Sequence, residues 1–73
     1  MRTVKVSLEK DGYILSKEIK TDLFTTKVLN MVKEVSPLFT IKATRVFNPS
    51  GSGGTLEELL FWAKGLNDLI AKF

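Results

Sequence analysis

TVKVSLEKDGYILSKEIK, residues 3–20, is the stretch whose reading decides the fold. Val4, Val6 and Leu8 alternate with Thr3, Lys5, Ser7 and Glu9, the period of two that a half-buried strand imposes. Asp11-Gly12 follows, and a type I′ turn needs positive φ at both central residues, which that pair tolerates. A two-residue loop fixes the register. Lys10 then faces Tyr13, Leu8 faces Leu15, Val6 faces Lys17 and Val4 faces Ile19. On the opposite face Lys5 meets Glu18 and Ser7 meets Ser16, so charge and polarity match across the pair. Residues 1–20 are therefore expected to form a hairpin. Lys17 is the exception, a lysine on the apolar face. Either its stem snorkels past the sheet edge or it serves a ligand.

Downstream, Thr21 and Asp22 offer helix N-caps, and Phe24, Val28, Met31, Val32 and Val35 recur on one helical face. Ser36-Pro37 stops the helix, because the residue before proline is pushed out of the α region. This predicts a helix over 21–36, with Met31 filling core rather than serving a cofactor. Leu23 and Leu29 fall off its main stripe, a hint of buried surface beyond one sheet. Over 38–47, Phe39, Ile41, Ala43 and Phe47 alternate with Thr40, Lys42, Thr44 and Val46, which predicts a strand with Arg45 on its apolar face. Residues 48–54 form a Gly/Ser loop, and 55–73 read as a helix. The chain is thus one α+β domain of order β-β-α-β-α. Short loops around the first helix favour a right-handed crossover, giving a mainly antiparallel sheet of order 2-1-3 with both helices on one face.

The second helix starts at a capping box, in which the Thr55 hydroxyl accepts from the Glu58 N–H. Leu56, Leu59, Leu60, Ala63, Leu66 and Ile70 make its central stripe, and Trp62, Leu69 and Phe73 widen it on one side. The apolar arc is on the order of 180°, against roughly 100° for an ordinary surface helix. Phe61 lies outside it, among Glu57, Lys64 and Asp68. Either Trp62 and Leu69 pack under the other helix and Phe61 is a lone exposed aromatic, or Phe61, Trp62, Leu66, Leu69 and Phe73 meet a second copy or a partner. Size favours the second reading. A chain of 73 residues gains little net stability from its own core, and with no cysteine and no histidine it has neither a disulfide nor the usual zinc site as a staple.

Two constellations suggest ligands. Asn48 to Thr55 is a glycine-rich run from strand to helix N-terminus, where free N–H groups, Ser50, Ser52 and a nearby Arg45 suit a phosphate or other anion. It lacks the lysine of a P-loop and the G-x-G-x-x-G spacing, so a connector explains it equally. The open sheet face carries Lys5, Lys20 and Lys42 among hydroxyls, with Lys17 on the other face as a further cation. With a net charge of +3, that face suits nucleic-acid phosphates. It also lacks aromatics for base stacking, and Glu9 and Glu18 dilute it. No Ser or Thr has a visible base, and the only adjacent acids, Glu57 and Glu58, are explained by capping, so no catalytic residue, metal or cofactor is expected.

The N-terminus alternates charged and apolar residues, unlike a signal peptide or a membrane span. The lack of cysteine fits a reducing, cytoplasmic setting. Ser7-Leu8-Glu9-Lys10-Asp11-Gly12-Tyr13 and Gly54-Thr55-Leu56-Glu57-Glu58 resemble pieces of HicB-type antitoxins. In that pattern the two pieces lie close together, whereas here a helix and a strand separate them, so no family is assigned. The expectation is a small non-enzymatic interaction module that homodimerises through the 55–73 helix. A nucleic-acid binder using the open face is the alternative, and anion binding at the Gly/Ser loop the third.

Overall fold

The computed structural model describes residues 2–48 and 53–72. Its elements are β1 (Arg2–Lys10), β2 (Tyr13–Thr21), α1 (Thr25–Val35), β3 (Thr40–Val46) and α2 (Leu56–Ala71). The three strands form one sheet of order β2-β1-β3. Both pairings are antiparallel, so β2 and β3 run in the same direction.

The turn chemistry sets the hairpin as expected. Asp11 has φ 51° and Gly12 φ 88°, the two positive values of a type I′ turn. From it follows the whole ladder, with Leu8 opposite Leu15, Val6 opposite Lys17 and Lys5 opposite Glu18. The Ser7 and Ser16 hydroxyls meet at 3.1 Å on the open face. β3 takes the other side of β1, placing Val4 beside Arg45, Val6 beside Ala43 and Leu8 beside Ile41.

β1 is the centre of the core because it has a strand on each side and helices above. Val4, Val6 and Leu8 are buried together with Ile19, Ile41, Val28, Val32, Leu59 and Ala63. Fully burying each large aliphatic is worth about 1.5–3 kcal/mol. Leu23 and Leu29 pack against this cluster, so the apolar surface they suggested is spent within the chain. Beyond the apolar contact of the helices, two hydrogen bonds join the C-terminal end of α1 to α2. The buried Ser36 hydroxyl donates to the Ala63 carbonyl at 3.2 Å, and the Leu38 N–H donates to Asn67 Oδ1 at 3.0 Å. Asn67 is a polar residue within the apolar arc of α2, and this bond gives its side chain a partner.

Element boundaries differ from the sequence reading at both ends of α1 and of β3, which span Thr25–Val35 and Thr40–Val46. α1 begins at Thr25 rather than near residue 21, because β2 continues to Thr21, which pairs with Arg2. Neither Thr21 nor Asp22 is the cap. The Thr21 hydroxyl instead accepts the Leu23 N–H at 3.2 Å, and the N-cap position falls to Phe24, which has no side-chain cap bond. Phe24 is consequently outside the core, exposed at the end of the sheet. β3 stops at Val46, so Phe47 is likewise exposed rather than on the apolar face.

Candidate functional site

Several apolar side chains lie at the hairpin end of the molecule. The Asp11-Gly12 turn projects Tyr13, Ile14 and Leu15 at the start of β2, and the C-terminal half of α2 passes beside them. Tyr13, Leu15, Phe39, Leu66, Leu69 and Ile70 line an open apolar groove of about 300 Å³. Its walls are wet in a single chain: Tyr13 is 79% exposed, Ile14 63% and Leu69 51%. Lys10 and Asp11 form its polar rim, 3.9 Å apart.

Of the residues expected on an association surface, Leu66 and Leu69 line this groove. Trp62 is half-buried and packs against the core. Phe61 is 84% exposed, on the side of α2 away from the core. Phe73 lies outside the described residues. The hairpin's contribution went unread in the sequence. Its signal was there in Tyr13-Ile14-Leu15, three apolar residues in succession where strict alternation would place a polar one at Ile14.

Of the Gly/Ser loop, only Asn48, Gly53 and Gly54 lie within the described residues. Pro49, Ser50, Gly51 and Ser52 lie outside the described residues. Gly54 forms a parallel bridge with Ile19: its N–H donates to the Glu18 carbonyl at 3.0 Å, and its carbonyl accepts the Lys20 N–H at 2.9 Å. The Glu58 N–H donates to the Thr55 hydroxyl at 3.2 Å. Two donors that an anion would need are thus already used. Glu57 and Glu58 also put negative charge in the first turn of α2. Lys17 runs beside this junction: a Cβ on Gly54 would lie 3.3 Å from its Cε and 2.9 Å from the Glu58 carboxylate. The lysine therefore bends toward the helix start rather than into the core. Arg45 is separated from Gly54 by β1 and β2, roughly 14 Å at three strand spacings.

The open sheet face is as drawn from the sequence: Lys5, Lys20 and Lys42 are exposed, with Glu18 directly across from Lys5. A separate basic corner emerges at the opposite end from the hairpin turn. The Arg2 guanidinium lies 4.6 Å from the Phe24 ring centroid and that of Arg45 lies 5.0 Å from Phe47. Arg2, Arg45, Val4, Leu23, Phe24 and Thr25 surround a cleft of about 140 Å³. This corner could not be read beforehand, since it depends on Phe24 and Phe47 lying beyond the ends of their elements.

Among the described residues, no three His, Cys, Asp or Glu side chains gather, and no helix is long and apolar enough to cross a membrane. No family model, curated protein or solved structure matches this chain.

Proposed function

We propose that this protein is a non-enzymatic interaction module that self-associates through the C-terminal half of α2 and the neighbouring hairpin tip. The observation that carries this reading is the apolar groove between Leu66, Leu69 and Ile70 on α2 and Tyr13 and Leu15 on β2. Exposed apolar area is common, but a contiguous groove built from two elements with a charged rim has the form of an interface core. A second copy is the occupant that the chain's size favours. A domain this small, without cysteine or histidine, is marginal alone, and association is the stabilising route left to it. A reducing compartment such as the cytoplasm is the setting that fits a cysteine-free sequence.

Thermal melts at rising protein concentration test this proposal. Association coupled to folding makes the melting temperature climb with concentration. Leu69→Glu sets a charge in the groove, abolishes that climb and lowers the melting temperature without disturbing the core, since Leu69 is outside it. A wild-type melting temperature independent of concentration excludes the reading.

A second reading rests on the basic corner. Exposed Phe24 and Phe47, each under an arginine, form stacking surfaces next to cations, the combination used to hold single-stranded nucleic acid. It predicts salt-sensitive binding of a labelled oligonucleotide that Arg2→Glu with Arg45→Glu removes. Binding equally unaffected by the double change eliminates it.

A further inference from the structure

We infer that the second copy docks strand to strand, with β2 pairing antiparallel with β2 of the partner subunit about Leu15. The two three-stranded sheets then become one six-stranded sheet. This inference rests on the self-association proposed above and names its geometry.

In a two-residue hairpin the residues flanking the turn, Lys10 and Tyr13, form the bonded pair, and bonding then alternates along the ladder. Tyr13, Leu15 and Lys17 therefore spend their N–H and C=O groups on β1, while Ile14, Ser16, Glu18 and Lys20 aim theirs outward. Gly54 confirms the parity, for it bonds the Glu18 carbonyl and the Lys20 N–H. That short bridge covers the outer edge of β2 only around Ile19. Among the described residues nothing pairs with the edge at Ile14 and Ser16, and this uncovered part is where the apolar groove lies.

An exposed apolar strand edge is a template for another strand. The partner that fits is a second copy, because the uncovered edge is self-complementary. Placing a two-fold axis at Leu15 sets Ile14 against Ser16 of the partner subunit and Ser16 against Ile14 of the partner subunit. All four outward groups of each chain at these two positions are then satisfied. Leu15 meets Leu15 of the partner subunit on the helix side, beside Leu69, and Tyr13 faces Lys17 of the partner subunit. The other sheet edge does not compete: β3 has seven residues and carries Lys42, Thr44 and Arg45, the charged and polar content that discourages edge pairing.

The chain's lack of cysteine makes the test specific, because one introduced thiol reports one position. Residues opposed at a non-hydrogen-bonded antiparallel site have Cα atoms about 4.5 Å apart, within the span of roughly 4.4–6.8 Å that a disulfide bridges. Full-length Leu15→Cys is expected to convert to a covalent dimer under mild oxidation, while Lys42→Cys on β3 is not. In the wild type, the Ile14 and Ser16 amides are expected to exchange with solvent at least tenfold more slowly at high than at low protein concentration. Ile14→Pro removes an N–H that the hairpin does not use and is expected to weaken association at least tenfold.

A wild-type dimer in which the Ile14 and Ser16 amides exchange freely and Leu15→Cys does not cross-link overturns the strand pairing while leaving the groove reading standing. A wild-type monomer overturns both. The amide measurement needs no substitution, so it decides the matter even where a variant fails to fold.

Discussion

Ser36 ties the two helices together with a single hydroxyl. It is fully buried, its N–H continues α1 to the Val32 carbonyl, and its Oγ–H reaches the Ala63 carbonyl. A net buried hydrogen bond contributes about 0.5–1.5 kcal/mol. Ser36→Ala should therefore lower stability by about 1 kcal/mol in urea melts, since Ala63 sits inside α2 and its carbonyl keeps its helical partner. Asn67 makes the parallel bond to Leu38, but at an exposed site where water replaces it, so Asn67→Ala should cost less. Equal costs would place the weight of the seam elsewhere. At the hairpin turn, Gly12 holds φ 88° in open space, so the cost of a side chain there is conformational rather than steric. Gly12→Ala should destabilise by about 1–2 kcal/mol, the penalty for an L-residue in left-handed backbone. An unchanged urea midpoint contradicts the assigned turn.

α1 and α2 differ most in how they begin. α2 starts with a Thr55 cap and two acids in its first turn, whereas α1 starts at Phe24 with neither a cap bond nor an acid. Thr55→Ala should cost about 1 kcal/mol. Phe24→Asp should gain a comparable amount, because a cap bond and a favourable dipole contact outweigh the 0.5–1 kcal/mol or so of an exposed cation–π pair. A fall in the melting temperature of Phe24→Asp would show that the Arg2–Phe24 contact matters more than the helix start.

The hairpin, the element order and the sheet order were legible in the sequence because Asp11-Gly12 pins a register that alternation then extends. The start of α1 was not, because Thr21 serves equally as a cap or as the last rung of a strand, and pairing with Arg2 decides it. The width of the α2 arc was legible, but its use was only half so. Trp62 is absorbed by the core, while Leu69 joins Tyr13 and Leu15 across the fold, a meeting that no local pattern encodes.

At the scale of the whole molecule, nine buried apolar residues form the core among the described residues of a slender body of 37 × 20 × 18 Å. Such a core contributes little margin, so Leu59→Ala, which costs about 2–5 kcal/mol at a fully buried site, should leave the chain largely unfolded. The margin comes, on this account, from covering the groove at the hairpin end with a second copy. Sedimentation equilibrium of the wild-type chain over a range of micromolar concentrations measures that directly. A dimer joined at the hairpin end gives a mass approaching twice the 8.2 kDa of one chain. A folded species that stays at 8.2 kDa throughout contradicts it.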